Sequence, residues 1–508
     1  MPLLSSSPAL YAIIGLTVAW RLYGSYKERK NNPDRLPLPP GPKGYPLIDN
    51  LFDFPTYKAW LVYDEWTKRY GDTVYFKVLG QPFLLLGSSA STYDIFEKRS
   101  SNYSGRPRMP MLCEMMGWDW SFALMPYGNW WKRHRLYYDI HIDVTRTFLR
   151  QLLGAPGEFL QHSHHLFAAT ILKITYGITV KEKDDPFIKV AEVVIKSLAE
   201  AGSPGSFLVD LFPAMKYIPD WFPGTQWKKK AAYWRHMNSR FVNEPWELVQ
   251  KQVKEGTALP CMATKLIANL PEEDSPDRAE EELLARRACA VAFVGGADTS
   301  VSGVQTFFMA MCLYPEVQKK AHAELDKVLC GRLPEFNDRD SLPYINAMVK
   351  ESFRWQQVAP LGVPHMATEA DEYKGYHIPK GTIVIGNEWT ILHDPETYPD
   401  PFTYNPDRFL IKDGKLDPDV RDPCLTAFGF GRRVCPGRFV SDNSMFILLA
   451  HILSVYDIRP GLDKNGKEVE IRPEMSNGLL SYPEAFGCRI TPRSKKAEEL
   501  IRNSGLMD

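Results

Sequence analysis

The stretch from Ser275 to about Cys312 constrains this chain more than any other. It opens on Ser-Pro-Asp. Serine suits a helix cap, proline suits a first turn, and acids complement the helix dipole. Leu284, Ala288 and Ala292 continue at helical spacing, so the run exceeds 30 residues, which is long for a globular helix. Its middle carries Gly295-Gly296, and each glycine costs about 1 kcal/mol relative to alanine in a helix interior. A long buried helix that accepts both losses needs space or distortion at that point.

A second helix follows Ser341-Leu342-Pro343 and carries Glu351 and Arg354. Residues 360–387 read as short strands and turns, through Tyr373-Lys374-Gly375-Tyr376 and then Ile383-Val384-Ile385. The fold class is therefore mainly α with minor β. The 61 Lys+Arg balance 61 Asp+Glu. That neutrality excludes bulk nucleic-acid binding, which needs a basic excess to displace counterions. Eight cysteines in 508 residues are too sparse for a disulfide scaffold, and none has Cys-x-x-Cys spacing. Most read as reduced core fillers.

From Leu3 to Trp20 no residue is charged. Eighteen such residues rise about 27 Å as a helix, just under a hydrocarbon core of about 30 Å. Arg21, Lys27, Arg29 and Lys30 follow, which places the rest of the chain in the cytosol. A cleaved signal peptide would carry its basic residues before the apolar core and small residues after it. Here bulky Trp20, Leu22 and Tyr23 stand at that point. Residues 1–21 are thus expected to be a retained membrane anchor. Residues 31–44 hold five prolines and two glycines and read as a stiff spacer.

The chemistry concentrates around Cys435. The segment Ala427-Phe-Gly-Phe-Gly-Arg-Arg-Val-Cys-Pro-Gly-Arg438 is a glycine-rich loop opening into an apolar helix from Met445 to Leu453. A cysteine at a helix N-terminus between Arg433 and Arg438 has its thiolate stabilised by dipole and charge. A thiolate binds metals and attacks electrophiles, and the glycines admit something flat and bulky. An incidental thiol in a glycine-rich turn is the bland alternative.

Phe428-x-x-Gly431-x-Arg433-x-Cys435-x-Gly437 resembles the haem-binding signature of cytochrome P450 monooxygenases at every fixed position. Three further runs agree in order and spacing. Glu351-Ser-Phe-Arg354 is similar to the family's Glu-x-x-Arg, Gly295-Gly-Ala-Asp-Thr-Ser300 to its oxygen-activation motif, and Tyr127-Gly-x-x-Trp131-x-x-x-Arg135 to its Trp-x-x-x-Arg helix. The resemblance covers about residues 36–495. It implies a cytochrome P450 fold with one catalytic domain, 45–508, behind a basic, proline-rich hinge, 22–44.

The resemblance also assigns roles. Cys435 would be the axial thiolate of haem b, a ligand that favours O–O cleavage over reversible oxygen carriage. Arg433, Trp131, Arg135 and His365 would meet the propionates, with Arg106 left outside that set. Phe428, Gly431 and Gly437 would shape the haem loop. Glu351, Arg354 and Arg408 would form a structural triad, although Asp407 stands where the family has glutamate before that arginine. Asp298 and Thr299 would deliver protons during oxygen activation, as positioned general acids do. Haem-thiolate isomerases and dehydratases often lack that pair, which disfavours them, and a non-catalytic membrane haem protein would not need it.

No flavin or dinucleotide fingerprint is present, so electrons would come from a membrane-bound NADPH–cytochrome P450 reductase, with Lys132, Arg133, Arg432 and Arg438 as a candidate docking face. The substrate pocket would include Phe293, Ala297, Val358, Val363 and Leu479 and take a hydrophobic small molecule together with O2. Phe212, Trp221, Phe222 and Pro223 would dip into the endoplasmic-reticulum membrane. Tyr103-Ser-Gly-Arg-Pro, Asp220-Trp-Phe-Pro-Gly and Val420-Arg-Asp-Pro are most similar to fungal secondary-metabolism members, the O-methylsterigmatocystin oxidoreductase-like group. That likeness implies hydroxylation of a terpenoid or related scaffold.

Overall fold

In the computed structural model the apolar run Phe83-Leu84-Leu85-Leu86 becomes the buried centre of a small sheet. The residues described are 32–126, 145–181, 184–202 and 207–504. The anchor stretch, Trp131, Lys132, Arg133 and Arg135 lie outside them. Strand β1 (Thr73–Val78) turns through Leu79 and Gly80, both at positive φ, into antiparallel β2 (Gln81–Leu86). Two positive φ angles give the turn whose twist matches a hairpin.

Six helices position the site. They are α1 (Phe159–Tyr176), α2 (Pro186–Ala201), α3 (Gln226–Glu255), α4 (Arg278–Leu313), α5 (Pro343–Trp355) and α6 (Arg438–Val455). Between α5 and α6 run β3 (His365–Met366), the hairpin β4 (Asp371–Tyr373) and β5 (Tyr376–Ile378), and β6 (Ile383–Gly386). Strand β6 lies parallel to β2 and antiparallel to β3, so the sheet order is β1-β2-β6-β3. Among the described residues the protein is mainly helical with a minor sheet component, as the sequence implies. No described helix is long and apolar enough to cross a membrane.

Helix α4 has 36 residues, about 54 Å at 1.5 Å per residue. Its first three turns carry charged residues, but from Ala288 onward it is mostly buried because it crosses the body. Its first half packs with α1, α2 and α3, and its second half with α5 and α6. The helix runs unbroken past Gly295 and Gly296, so the two glycines supply space and not the distortion that was the other expectation. A Cβ on Gly296 would stand 2.8 Å from Cδ1 of Ile171 on α1, whereas one on Gly295 would meet nothing within 4 Å. Ser275 does not cap the helix. Its carbonyl accepts the Arg278 N–H instead, and Asp277 precedes the first turn with no side-chain cap.

The proline-rich stretch is also corrected. The Pro37 carbonyl accepts the His377 N–H and the Pro40 carbonyl accepts that of Tyr75, both at 2.8 Å. A Cβ on Gly41 would fall 1.8 Å from the Tyr75 oxygen. Residues 37–41 are therefore laid against the sheet and do not form a detached spacer. Prolines serve there because such a segment offers carbonyls and needs few donors. The cysteines form no disulfide, and Cys330 is exposed and not a core filler.

Candidate active site

A cavity of about 360 Å³ lies between the Cys435 loop and the middle of α4. Phe428, Gly429, Phe430, Val434 and Cys435 line one side, and Val294, Gly295 and Thr299 line the other. The loop's shape follows from its residues. The Cys435 N–H donates to the Phe428 carbonyl at 2.8 Å, closing the loop on itself. Gly431 sits at φ +58, where a Cβ would fall 2.1 Å from the Phe96 carbonyl oxygen, so glycine alone fits. The Gly431 N–H donates to Glu97, Phe430 stacks on Phe96 at 5.3 Å, and Phe428 meets Phe353 edge-on at 5.1 Å. Gly437 then leads directly into α6.

One wall of the cavity gathers two arginines and a histidine. Arg433 donates to the carbonyls of Ser104, Phe122 and Met125. Arg106, equally buried, donates to those of Ala123, Val363 and Pro364. His365 faces the Tyr103 carbonyl at 2.6 Å through Nδ1, which must therefore carry the hydrogen. Burial, and then Arg433, push Arg106 well down from its ordinary value. Burial, and then Arg106, do the same to His365. Among the described residues no carboxylate acts on either group. A guanidinium stays charged nonetheless, and buried charges are paired in stable proteins. This wall therefore suits an anion entering the cavity. A flat group that carries a metal and carboxylates would find a ligand in Cys435 and counter-charges in Arg106 and Arg433, with His365 beside them as a neutral donor. Arg106 is the residue that sequence reasoning passed over. Its neighbours Lys98, Arg99 and Arg108 are equally basic in sequence, so nothing local marks Arg106 as the buried one.

Glu351 and Arg354 lie on one face of α5 and are fully buried. Arg354 grips Glu351 with two bonds, at 2.7 and 2.9 Å. Arg408 adds a third at 3.2 Å, and the Asn405 N–H adds a fourth at 2.8 Å. The remaining guanidinium hydrogens bond the carbonyls of Leu392, Pro399, Asp400 and Thr403. Asp407 takes no part and pairs with Lys320.

The sequence placed Asp298 and Thr299 together, and the structure separates their directions. Thr299 faces the cavity, and its hydroxyl donates to the Gly295 carbonyl at 2.6 Å. Asp298 is buried off the cavity, accepts from the Tyr482 hydroxyl, and lies 3.4 Å from Nδ1 of His164 on α1. Nothing local in the sequence marks Tyr482 or His164. Val358, Val363 and Leu479 line the cavity, but Phe293 and Ala297 do not. Phe293 stacks on Phe241 of α3 at 4.6 Å, and Ala297 packs in the same cluster. The 3.6-residue period decides this. Residues 291, 295, 299 and 303 share the cavity face, and 293 and 297 point elsewhere.

Residues 39–484 match the cytochrome P450 family. The chain is 47% identical to cytochrome P450 monooxygenase COX2 of Coprinopsis cinerea, over 92% of this chain and 91% of that protein. It is 42% identical to a cytochrome P450 monooxygenase of Armillaria gallica, over 98% and 99%. It is 39% identical to the tryptamine 4-monooxygenase of Psilocybe cyanescens, over 95% and 98%. The chain belongs to the cytochrome P450 family. It is a haem-thiolate monooxygenase that takes a small-molecule substrate, O2 and electrons from a redox partner.

Proposed function

We propose that this monooxygenase hydroxylates an apolar secondary metabolite of terpenoid type, which reaches it from the endoplasmic-reticulum membrane. Residues 1–21 anchor the chain there, with the catalytic domain in the cytosol. The observation that carries this reading is the pairing of an apolar cavity with an apolar surface patch. Phe212 is 48% exposed, Trp221 81% and Phe222 50%, and Leu208 and Tyr217 lie with them. Such a patch on a soluble face is costly unless lipid or a partner covers it.

Haem held by Cys435 supplies oxygen activation, and the chain's own residues supply the rest. Arg106, Arg433 and His365 would bind the propionates, a role the sequence motif would extend to Trp131 and Arg135. Gly295 would leave room on the cavity for the bound group, and Gly296 lets α1 close against α4. The Glu351–Arg354–Arg408 network fixes the segment that bears the Cys435 loop. Thr299 holds a hydroxyl on the cavity and delivers protons there. Asp298 connects that region to solvent through His164, whose side chain is 41% exposed. The electrons come from NADPH–cytochrome P450 reductase, docked near Arg432 and Arg438.

The test is reconstitution in microsomes with that reductase and a panel of terpenoid scaffolds. A hydroxylated product is expected. In Thr299→Ala, electrons should be diverted from product to hydrogen peroxide while the thiolate–carbon monoxide absorption band persists. Unchanged coupling in that variant would remove Thr299 from proton delivery. Full activity after deletion of residues 1–21, with no loss of membrane association, would sink the anchor.

A further inference from the structure

Two polar side chains on the cavity each leave one oxygen without a partner among the described residues. Glu388 follows β6 directly, is 2% exposed and lines the cavity, yet its Oε2 has no hydrogen-bond partner among the described residues. Gln356, just past α5, lines the same cavity and leaves its Oε1 unsatisfied. Gly362 lines the same cavity beside the acid. A Cβ there would stand 2.7 Å from Glu388 Oε1, so glycine keeps the carboxyl uncovered. Among the described residues no basic side chain acts on Glu388, and burial holds its carboxyl well above the usual range.

An unpaired buried polar group costs about 1–3 kcal/mol, a loss retained in a pocket when a ligand restores the bond. We infer that Glu388 is a specificity-determining residue whose carboxyl hydrogen-bonds a hydroxyl group on the substrate. The inference rests on the monooxygenase site described above. A neutral carboxylic acid donates one hydrogen, and an amide carbonyl accepts one. A hydroxyl does both, so it matches Glu388 and Gln356 without bringing net charge into the cavity. An ammonium ion would require the acid to ionise where no donor supports it. The substrate therefore arrives already hydroxylated, and a hydroxyl-forming reaction (oxygenation, hydration, carbonyl reduction or hydrolysis) precedes this step.

The test is spectral titration of the haem-loaded enzyme, reading the shift of the Soret band as ligand displaces water. Three probes share one bicyclic frame: decalin, 2-decalol and 2-aminodecalin. Glu388→Leu should weaken 2-decalol relative to decalin about tenfold, the factor equivalent to roughly 1.4 kcal/mol. Glu388→Ala should do the same, and Glu388→Gln, which keeps a donor, should retain most of the preference. The carbon monoxide band of each variant shows that the haem site is intact. If Glu388→Leu does not load haem, Glu388→Ala decides. An unchanged alcohol-to-hydrocarbon ratio in the leucine or alanine variant would overturn the inference. So would tightest binding of the amine with its loss in Glu388→Gln, which would make the site cationic. Absence of the band in the wild-type enzyme would instead sink the haem-thiolate reading itself.

Discussion

Gly296→Ala sets two opposing effects against each other on α4. Alanine is favoured over glycine in a helix interior by about 1 kcal/mol. The new methyl would lie 2.8 Å from both Cγ1 and Cδ1 of Ile171, and overpacking of that kind costs about 1–3 kcal/mol. The sum is a net loss of about 0–2 kcal/mol. Ile171→Ala removes both offending atoms and leaves the Ile171 Cβ, at 3.3 Å, as the nearest contact of the three. That change alone costs about 2–5 kcal/mol, at the low end because Ile171 borders the cavity. In the Ile171→Ala background, however, Gly296→Ala should stabilise by about 1 kcal/mol. The effect changes sign, and the coupling between the sites is about 1–3 kcal/mol. Urea unfolding of the haem-loaded protein, followed by circular dichroism and by the carbon monoxide band, measures all four proteins. Gly295→Ala is the control, because its Cβ would meet nothing within 4 Å. The same penalty for Gly296→Ala in both backgrounds would refute the close-approach account.

Glu351→Ala strands two buried guanidiniums and should cost about 3–5 kcal/mol. Arg408→Ala leaves Glu351 its two bonds from Arg354, so its thermal midpoint should fall much less; equal falls would count against a network centred on Glu351. The carboxyl of Asp210 accepts the Met111 N–H and is pushed up to about 6, chiefly by burial. Its folded value lies above the unfolded one, so its contribution is present at low pH and is lost as pH rises through about 6. The advantage of Asp210→Asn over wild type should therefore grow by about 1–2 kcal/mol between roughly pH 5 and pH 8, and a difference flat with pH in chemical denaturation would show that burial does not govern this acid.

The site divides into residues that chemistry marks in sequence and residues that only proximity marks. The Cys435 loop was legible because close approach to a flat group demands glycine, a thiolate ligand demands cysteine, and both must fall within one short segment. The Glu351–Arg354 pair was legible because one helical turn places i and i+3 side by side. Phe293 and Ala297 were misplaced because a helix surrounded by protein is apolar on every face. Composition then does not tell which face opens on the cavity. Asp298 was tied to Thr299 by adjacency in the chain, yet neighbours in a helix point about 100° apart. Its partners, His164 and Tyr482, come from distant segments. Residues 37–41 read as a spacer because proline lacks donors, but their carbonyls were still available to the sheet edge.

The sequence by itself determined the helical class, the thiolate loop and the need for room in the middle of α4. Those follow from backbone freedom, helical spacing and the chemistry of single side chains. The tertiary structure decided what no segment carries alone. It set two guanidiniums and a histidine against one cavity wall, turned Asp298 toward His164, and left one oxygen each of Glu388 and Gln356 without a partner among the described residues. Each of these depends on burial, and burial is fixed only when distant segments pack together.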